Sequence, residues 1–297
     1  MTRSTQNRDT PQGFAYALTA YLLWGFLPFY MKAMAHLPTL EVLAHRVIWS
    51  VPIAGLVLWW TGRTRDLRAA LTTPRMLAMG MVTAGLISVN WGIYVWAVQS
   101  GHALDAALGY YINPLFSVFL GAVLLGEKLD RWQLAAIALA VAAVGVLTWE
   151  AGRLPLVALG LTLTWGAYAY FKKMLPIGPN QGFMLEVTIL LPFALGFVAW
   201  QVSRGESHFA GGWADTALLL GCGLVTAVPL MVYANGAKLL RLSTIGILQY
   251  IAPTMIFLTA VFLFGEPFGR AQAIAFPMIW AALAIYTFAL IRQSRGR

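Results

Sequence analysis

The sequence predicts an all-α polytopic membrane protein: ten transmembrane helices arranged as two inverted five-helix repeats, with both termini cytoplasmic. Three observations predict it. Of 297 residues, 60 % are hydrophobic and 10 % charged, against roughly 45–50 % and 25 % in ordinary soluble domains. The second half of the chain echoes the first at a nearly constant offset. The basic residues crowd into alternate connections.

A helix needs roughly 17–25 apolar residues to cross the hydrocarbon core. Ten such runs can be placed: 13–34, 39–60, 75–98, 104–125 and 131–149, then 154–172, 182–201, 214–238, 243–264 and 271–291. Residues 1–12 form a polar tail; the run after them is too long for a signal-peptide core and lacks a small-residue cleavage site, so it reads as an uncleaved first span. The first repeat occupies 13–150, the second 151–292, and 293–297 form a C-terminal tail. The longest connections, near 61–74 and 203–213, are too short to fold as soluble domains. Any activity therefore sits within the bundle or at its mouths.

The net charge of +9 is explained by its placement. Fifteen Lys and Arg residues fall in one alternate set of connections, among them Arg63, Arg65, Arg68, Lys128, Lys172 and Lys238. Only Lys32, Arg153, Arg204 and Arg270 fall in the other. This positive-inside bias puts both termini in the cytoplasm and removes the need for a nucleic-acid partner. The single cysteine, Cys222 in the eighth span, excludes an intrachain disulfide and reads as a small apolar packer.

The repeat is plainest in "GYYINPLFSVFLGAVLLGEKLDR", Gly109 to Arg131, and "LQYIAPTMIFLTAVFLFGEPFGR", Leu248 to Arg270, 139 positions later. At that offset Asn90 falls on Pro229, Tyr94 on Tyr233, Tyr111 on Tyr250, Pro114 on Pro253, Glu127 on Glu266 and Arg131 on Arg270. Further upstream the offset is 141, pairing Trp24 with Trp165 and Lys32 with Lys173. Five is odd, so the second copy enters the membrane from the opposite side. That is the inverted-repeat design of secondary transporters, with a site near the midplane and access alternating between sides. The twin Tyr-Ile-x-Pro motifs would then form two equivalent gates.

These segments, with "AYLLWGFLPFYMK", "LEVLAHRVIWS", "NWGIYVWAV", "GYYINPL", "GEKLDRWQ", "QYIAP" and "GEP", resemble the drug/metabolite transporter superfamily, its EamA-like ten-helix members and the RarD-type branch. The resemblance covers nearly the whole chain. It implies a central cavity walled by the third, fourth, eighth and ninth spans, and export of small metabolites from the cytoplasm of a bacterium across its inner membrane.

Pro114 and Pro253 lie inside spans, where each removes a backbone hydrogen bond; either they hinge the transport path or they are static bends. Asn90, Trp91 and Tyr94 share one helix face, and a buried amide facing lipid is costly, which assigns them to a cavity. Asn113 either lines that cavity too or satisfies the kink at Pro114. Tyr111 and Trp24 join this surface, and Trp165, Tyr168, Tyr233, Asn235, Gln249 and Tyr250 supply its counterpart from the second half. Trp59, Trp60, Trp149 and Trp200, at span ends, read as the interfacial belt.

Few ionisable residues lie within spans. Arg46 either binds a substrate carboxylate, pairs with Glu41 or Glu186 as a clamp, or snorkels to headgroups. Glu186, with Glu41, is the candidate for proton coupling if a proton is coupled; the alternative is a structural role. The Gly126-Glu127 and Gly265-Glu266 pairs read as architecture, and Asp130 with Gln133 has the spacing of a capping box. Small residues on the fifth span, Ala136, Ala138, Ala140, Ala142 and Gly145, permit close helix approach. A homodimer through that face is one option and a monomer suffices.

Nucleophile and metal-helix motifs are missing from the sequence, and no histidine cluster has metal-ligand spacing. The expectation is no enzyme, no metal and no cofactor. A cavity of Trp and Tyr rings, a few amides and little net charge suits zwitterions with apolar side chains. The function expected is therefore a secondary transporter of small amphipathic metabolites, amino acids foremost, their aromatic rings stacking on Trp91 or Tyr94. The alternative is efflux of drugs or other metabolites by the same fold.

Overall fold

The computed structural model describes residues 10–62, 64–125, 129–237, 239–240 and 242–295, and the regular structure within them is all helix. Local chemistry marks several helix starts. In α1 (Pro11–Ala33) Thr10 Oγ1 accepts the Gly13 N–H at 3.0 Å and proline takes the first position, where its missing N–H costs nothing. α2 spans Thr39–Trp60, α3 Thr64–Thr72, and α4, again opening on proline, Pro74–Gln99. α5 (Ala103–Leu125) precedes α6 (Arg131–Ala151), which carries the expected capping box. There Asp130 accepts the Trp132 N–H at 3.2 Å and Gln133 Oε1 the Asp130 N–H at 3.0 Å.

The second half contains α7 (Leu156–Met174), α8 (Pro179–Arg204), α9 (Trp213–Ala237), α10 (Leu242–Leu248), α11 (Ile251–Leu258) and α12 (Arg270–Arg295). Eight helices, α1, α2, α4, α5, α6, α8, α9 and α12, are long and apolar enough to cross a membrane. The chain is a multi-pass membrane protein.

Two of the ten expected spans differ. α7 lies where the sixth was expected, with Lys172 and Lys173 at its end, but is not one of those eight. The ninth, expected as one helix over 243–264, is broken between α10 and α11. Pro253 has no N–H for the Gln249 carbonyl and its ring crowds that carbonyl, so the chain turns at Gln249 and Tyr250 and starts again. A π-helical turn, Thr259–Leu263, ends the segment, with the Phe264 N–H on Thr259 O at 2.8 Å. Pro114, by contrast, lies inside an uninterrupted α5. The twin motifs are not twin structures.

The connection after α2 holds an element that the sequence reading did not anticipate. α3 packs Leu67 and Ala70 against Leu175 and Leu185 and leaves Arg68 exposed. Gly126 and Glu127 lie outside the described residues. In the second motif, Gly265 takes a φ of +66°, and the Glu266 carboxylate accepts the N–H groups of Ala103 and Leu104 at 2.8 Å each. It ties the end of the broken span to the first turn of α5.

α6 and α12 lie along one another, with Ala136, Ala140 and Ala143 buried in one cluster with Ala275, Ile279 and Ala282. α1, α2, α4, α5, α7, α9 and α11 pack more centrally. α2 and α9 approach closely at Gly223, where a Cβ would stand 2.3 Å from the Trp49 carbonyl oxygen. Trp59, Trp60, Trp149 and Trp200 are exposed at helix ends.

Candidate functional site: a central cavity

The central helices enclose a cavity. Its wall comprises Tyr21, Trp24 and Leu27 of α1, Arg46 of α2, Asn90, Trp91 and Tyr94 of α4, Tyr110 and Asn113 of α5, and Trp165 of α7. The wall is completed by Thr226, Leu230 and Tyr233 of α9, with Gln249 at the helix break and Ala252, Pro253 and Ile256 of α11. The space open to water-sized molecules inside it is about 150 Å³, below the roughly 300–1,000 Å³ of drug-sized ligand sites.

Two ends of the wall differ in chemistry. At one, Tyr21, Trp24 and Tyr233 form a cluster with ring centroids 5.4–5.6 Å apart. At the other, Arg46 is only 3 % exposed. Its Nε donates to Thr226 Oγ1 at 3.0 Å and its guanidinium lies over the Trp91 ring at 4.7 Å. Arg46 Nη1 meets no partner, and Arg46 makes no ion pair among the described residues. Burying a charge is expensive unless a partner offsets it, so this guanidinium is suited to an incoming anion.

Asn90 is held from outside the cavity. Its Nδ2 donates to Leu161 O at 3.2 Å and Thr164 Oγ1 at 2.9 Å. A carbonyl oxygen only accepts, which fixes the amide's orientation and leaves Oδ1 as a buried acceptor without a partner. Asn113 Oδ1 and Tyr94 Oη are likewise buried without partners. The wall thus carries a cationic donor, fixed by Thr226 and Trp91, and unused neutral acceptors.

The expected clamp of Arg46 with Glu41 or Glu186 does not form, because both carboxylates are engaged elsewhere. Glu41 takes the His208 N–H at 2.8 Å and lies 2.7 Å from His208 Nδ1, while Phe209 stacks on His45 at 4.9 Å. Glu186 accepts from Tyr168 Oη at 3.2 Å and pairs with Lys172 at 2.6 Å. Neither carboxylate is in the cavity wall.

The sequence similarities run the length of the chain. The EamA-like transporter family matches over residues 11–149. "Uncharacterized transporter YojE" of Bacillus subtilis is 40 % identical over 98 % of both chains. "Protein RarD" of Escherichia coli is 38 % identical over 97 % of this chain and 98 % of its own. This chain belongs to the RarD-type branch of the EamA-like transporters, within the drug/metabolite transporter superfamily. Another relative, "Chloramphenicol-sensitive protein RarD" of Pseudomonas aeruginosa, is 33 % identical over 94 % of each chain. A solved crystal structure shares the fold, with a TM-score of 0.60 at 20 % identity, over 95 % of this chain and 98 % of its own.

In this EamA-like transporter the cavity brings together Trp24, Arg46, Asn90, Trp91, Tyr94, Asn113, Trp165, Tyr233, Gln249 and Pro253 from the residues singled out in the sequence. Others lie elsewhere. Tyr111 is outside the wall: its hydroxyl is 2.8 Å from Thr254 Oγ1 and its ring meets Phe276 and Trp280. Tyr168, engaged by Glu186, and Tyr250 are also outside it, as are Pro114 and Asn235. Ligand stacking on Trp91 or Tyr94 is restricted, since Arg46 covers a Trp91 face and Tyr110 lies 5.8 Å from the Tyr94 ring. The cluster at Trp24 is the better apolar receptor. Tyr21, Leu27, Tyr110, Thr226, Leu230, Ala252 and Ile256 were not among the assigned residues. The repeat held a signal for three of them: Tyr110 pairs with Gln249, Leu230 with Trp91 and Ala252 with Asn113.

Proposed function

We propose that this multi-pass membrane transporter exports small amphipathic metabolites, foremost aromatic and other apolar amino acids, from the bacterial cytoplasm across the inner membrane. Arg46 Nη1, an unused cationic donor, and Asn90 Oδ1, an unused neutral acceptor, flank one cavity. A ligand with a carboxylate and a neighbouring donor answers both, with its side chain towards Tyr21, Trp24 and Tyr233.

The mechanism is alternating access between two inverted five-helix repeats, 13–150 and 151–292. Ten crossings then arise from the eight apolar helices, α7 and the broken α10–α11 segment, with both termini cytoplasmic. Supporting this, ten wall residues pair at the repeat offsets: Trp24 with Trp165, Trp91 with Leu230, Tyr94 with Tyr233, Tyr110 with Gln249 and Asn113 with Ala252. Helix packing exchanges in the same way, α1 on α9 for α7 on α4 and α5 on α7 for α11 on α1. The gates are the Pro114 and Pro253 segments. One chain supplies the whole wall, so a monomer suffices.

Counterflow of labelled phenylalanine, methionine and threonine in proteoliposomes tests the reading; saturable uptake competed by other apolar amino acids is expected. The aromatic cluster and the relative whose name refers to chloramphenicol favour a second reading, efflux of drugs or other metabolites. Counterflow of chloramphenicol without that of amino acids would select it.

A further inference from the structure

This inference rests on the proposed reading of the cavity as a site for a carboxylate with a neighbouring donor, and narrows what the site requires. Among the described wall residues Arg46 is the one formal charge, and no carboxylate is in the wall. The ammonium of an α-amino acid sits beside its own carboxylate. Docking that carboxylate on Arg46 therefore brings a second positive charge close to the guanidinium, with no anionic side chain of the wall to offset it. What awaits the second group is the neutral Asn90 Oδ1, its orientation fixed by the donation of Nδ2 to Leu161 O.

A neutral acceptor takes a hydroxyl as readily as an ammonium, and the hydroxyl brings no repulsion. We propose that the cavity is a site for 2-hydroxy carboxylates with aromatic or apolar side chains, bound at least as tightly as the matching amino acids. The carboxylate meets Arg46 Nη1 and the hydroxyl donates to Asn90 Oδ1. The side chain runs to the cluster of Tyr21, Trp24 and Tyr233. An amine without a carboxylate is repelled.

The test uses the purified full chain in detergent, titrated with L-3-phenyllactate, L-phenylalanine, 3-phenylpropionate and phenethylamine while tryptophan fluorescence is followed. Phenyllactate is expected to bind with a Kd equal to or below that of phenylalanine and about tenfold below that of 3-phenylpropionate, which lacks the hydroxyl. Phenethylamine should give no saturable change. Tighter binding of phenylalanine than of phenyllactate overturns the inference and leaves the amino-acid function standing. Binding of phenyllactate without phenylalanine upholds it and removes amino acids from the function. Saturable binding of phenethylamine, equal binding of 3-phenylpropionate and phenyllactate, or binding of neither phenyllactate nor phenylalanine overturns it; the last result removes the amino-acid reading as well.

Discussion

Replacing Arg46 with Gln separates a ligand-binding guanidinium from a structural one. Among the described residues Arg46 makes one side-chain hydrogen bond, to Thr226, and lies over the face of Trp91. Losing the stacking costs up to about 2 kcal/mol and losing the charged hydrogen bond roughly 1.5–3 kcal/mol. Removing a buried charge that lacks an ion-pair partner returns several kcal/mol of desolvation. These terms nearly cancel, so the unfolding temperature in detergent should stay close to that of the native protein. Binding should not survive as well. A carboxylate on Nη1 gains about 1.5–3 kcal/mol from a charge-assisted hydrogen bond, and each 1.4 kcal/mol is tenfold. Phenylalanine should therefore bind roughly 10- to 150-fold more weakly, read by tryptophan fluorescence on the same preparations. Affinity within threefold of native in a folded R46Q protein refutes the carboxylate assignment, and a large fall in unfolding temperature makes Arg46 a structural clamp after all.

Three further outcomes follow from the packing. Gly223→Ala should lower stability by about 1–3 kcal/mol, the usual range for overpacking, because the added Cβ meets the Trp49 backbone; an unchanged melting curve in detergent would contradict the close approach of α2 and α9. Glu266→Ala strips two N–H groups at the start of α5 of their acceptor and should cost about 0.5–2 kcal/mol, as lost helix caps do, whereas no loss would mean that solvent replaces the carboxylate without penalty. Glu186→Gln leaves Lys172 with a broken pair and should destabilise by about 3–5 kcal/mol, while Lys172→Met with Glu186→Leu should recover most of it. Transport by that folded double variant is expected to keep the native pH response, because neither side chain lines the cavity; losing the response would make Glu186 a proton carrier.

Much of this was legible because lipid imposes simple rules. Long apolar runs become helices, and the placement of eight of them follows from length and composition. Sequence reading lacked helix phase within the motifs. Tyr110 and Tyr111 are adjacent and chemically alike, yet one step around α5 sends Tyr110 to the cavity and Tyr111 to α12. The repeat could have decided it through Tyr110 and Gln249, but the shared Tyr drew attention to the other register. The break before Pro253 was hidden for a different reason. Pro114 carries the same local sequence and bends nothing apart, so the outcome depends on neighbouring packing that no single motif encodes. Arg46, Glu41 and Glu186 show the limit for charges. The sequence left Arg46 a pair with Glu41 or Glu186 as one alternative, whereas the partners that engage the two carboxylates, His208 and Lys172, come from a loop and from another helix.

The central claim is that solute passes through this cavity, and Leu230, a half-buried residue of its wall, is where a modification would obstruct it. With the buried Cys222 replaced by Ala, a Leu230→Cys variant would be placed in proteoliposomes and treated with a thiol reagent while phenylalanine counterflow is followed. The account predicts that modification stops transport and that phenylalanine present during treatment slows the modification. Undiminished counterflow after complete modification would contradict it.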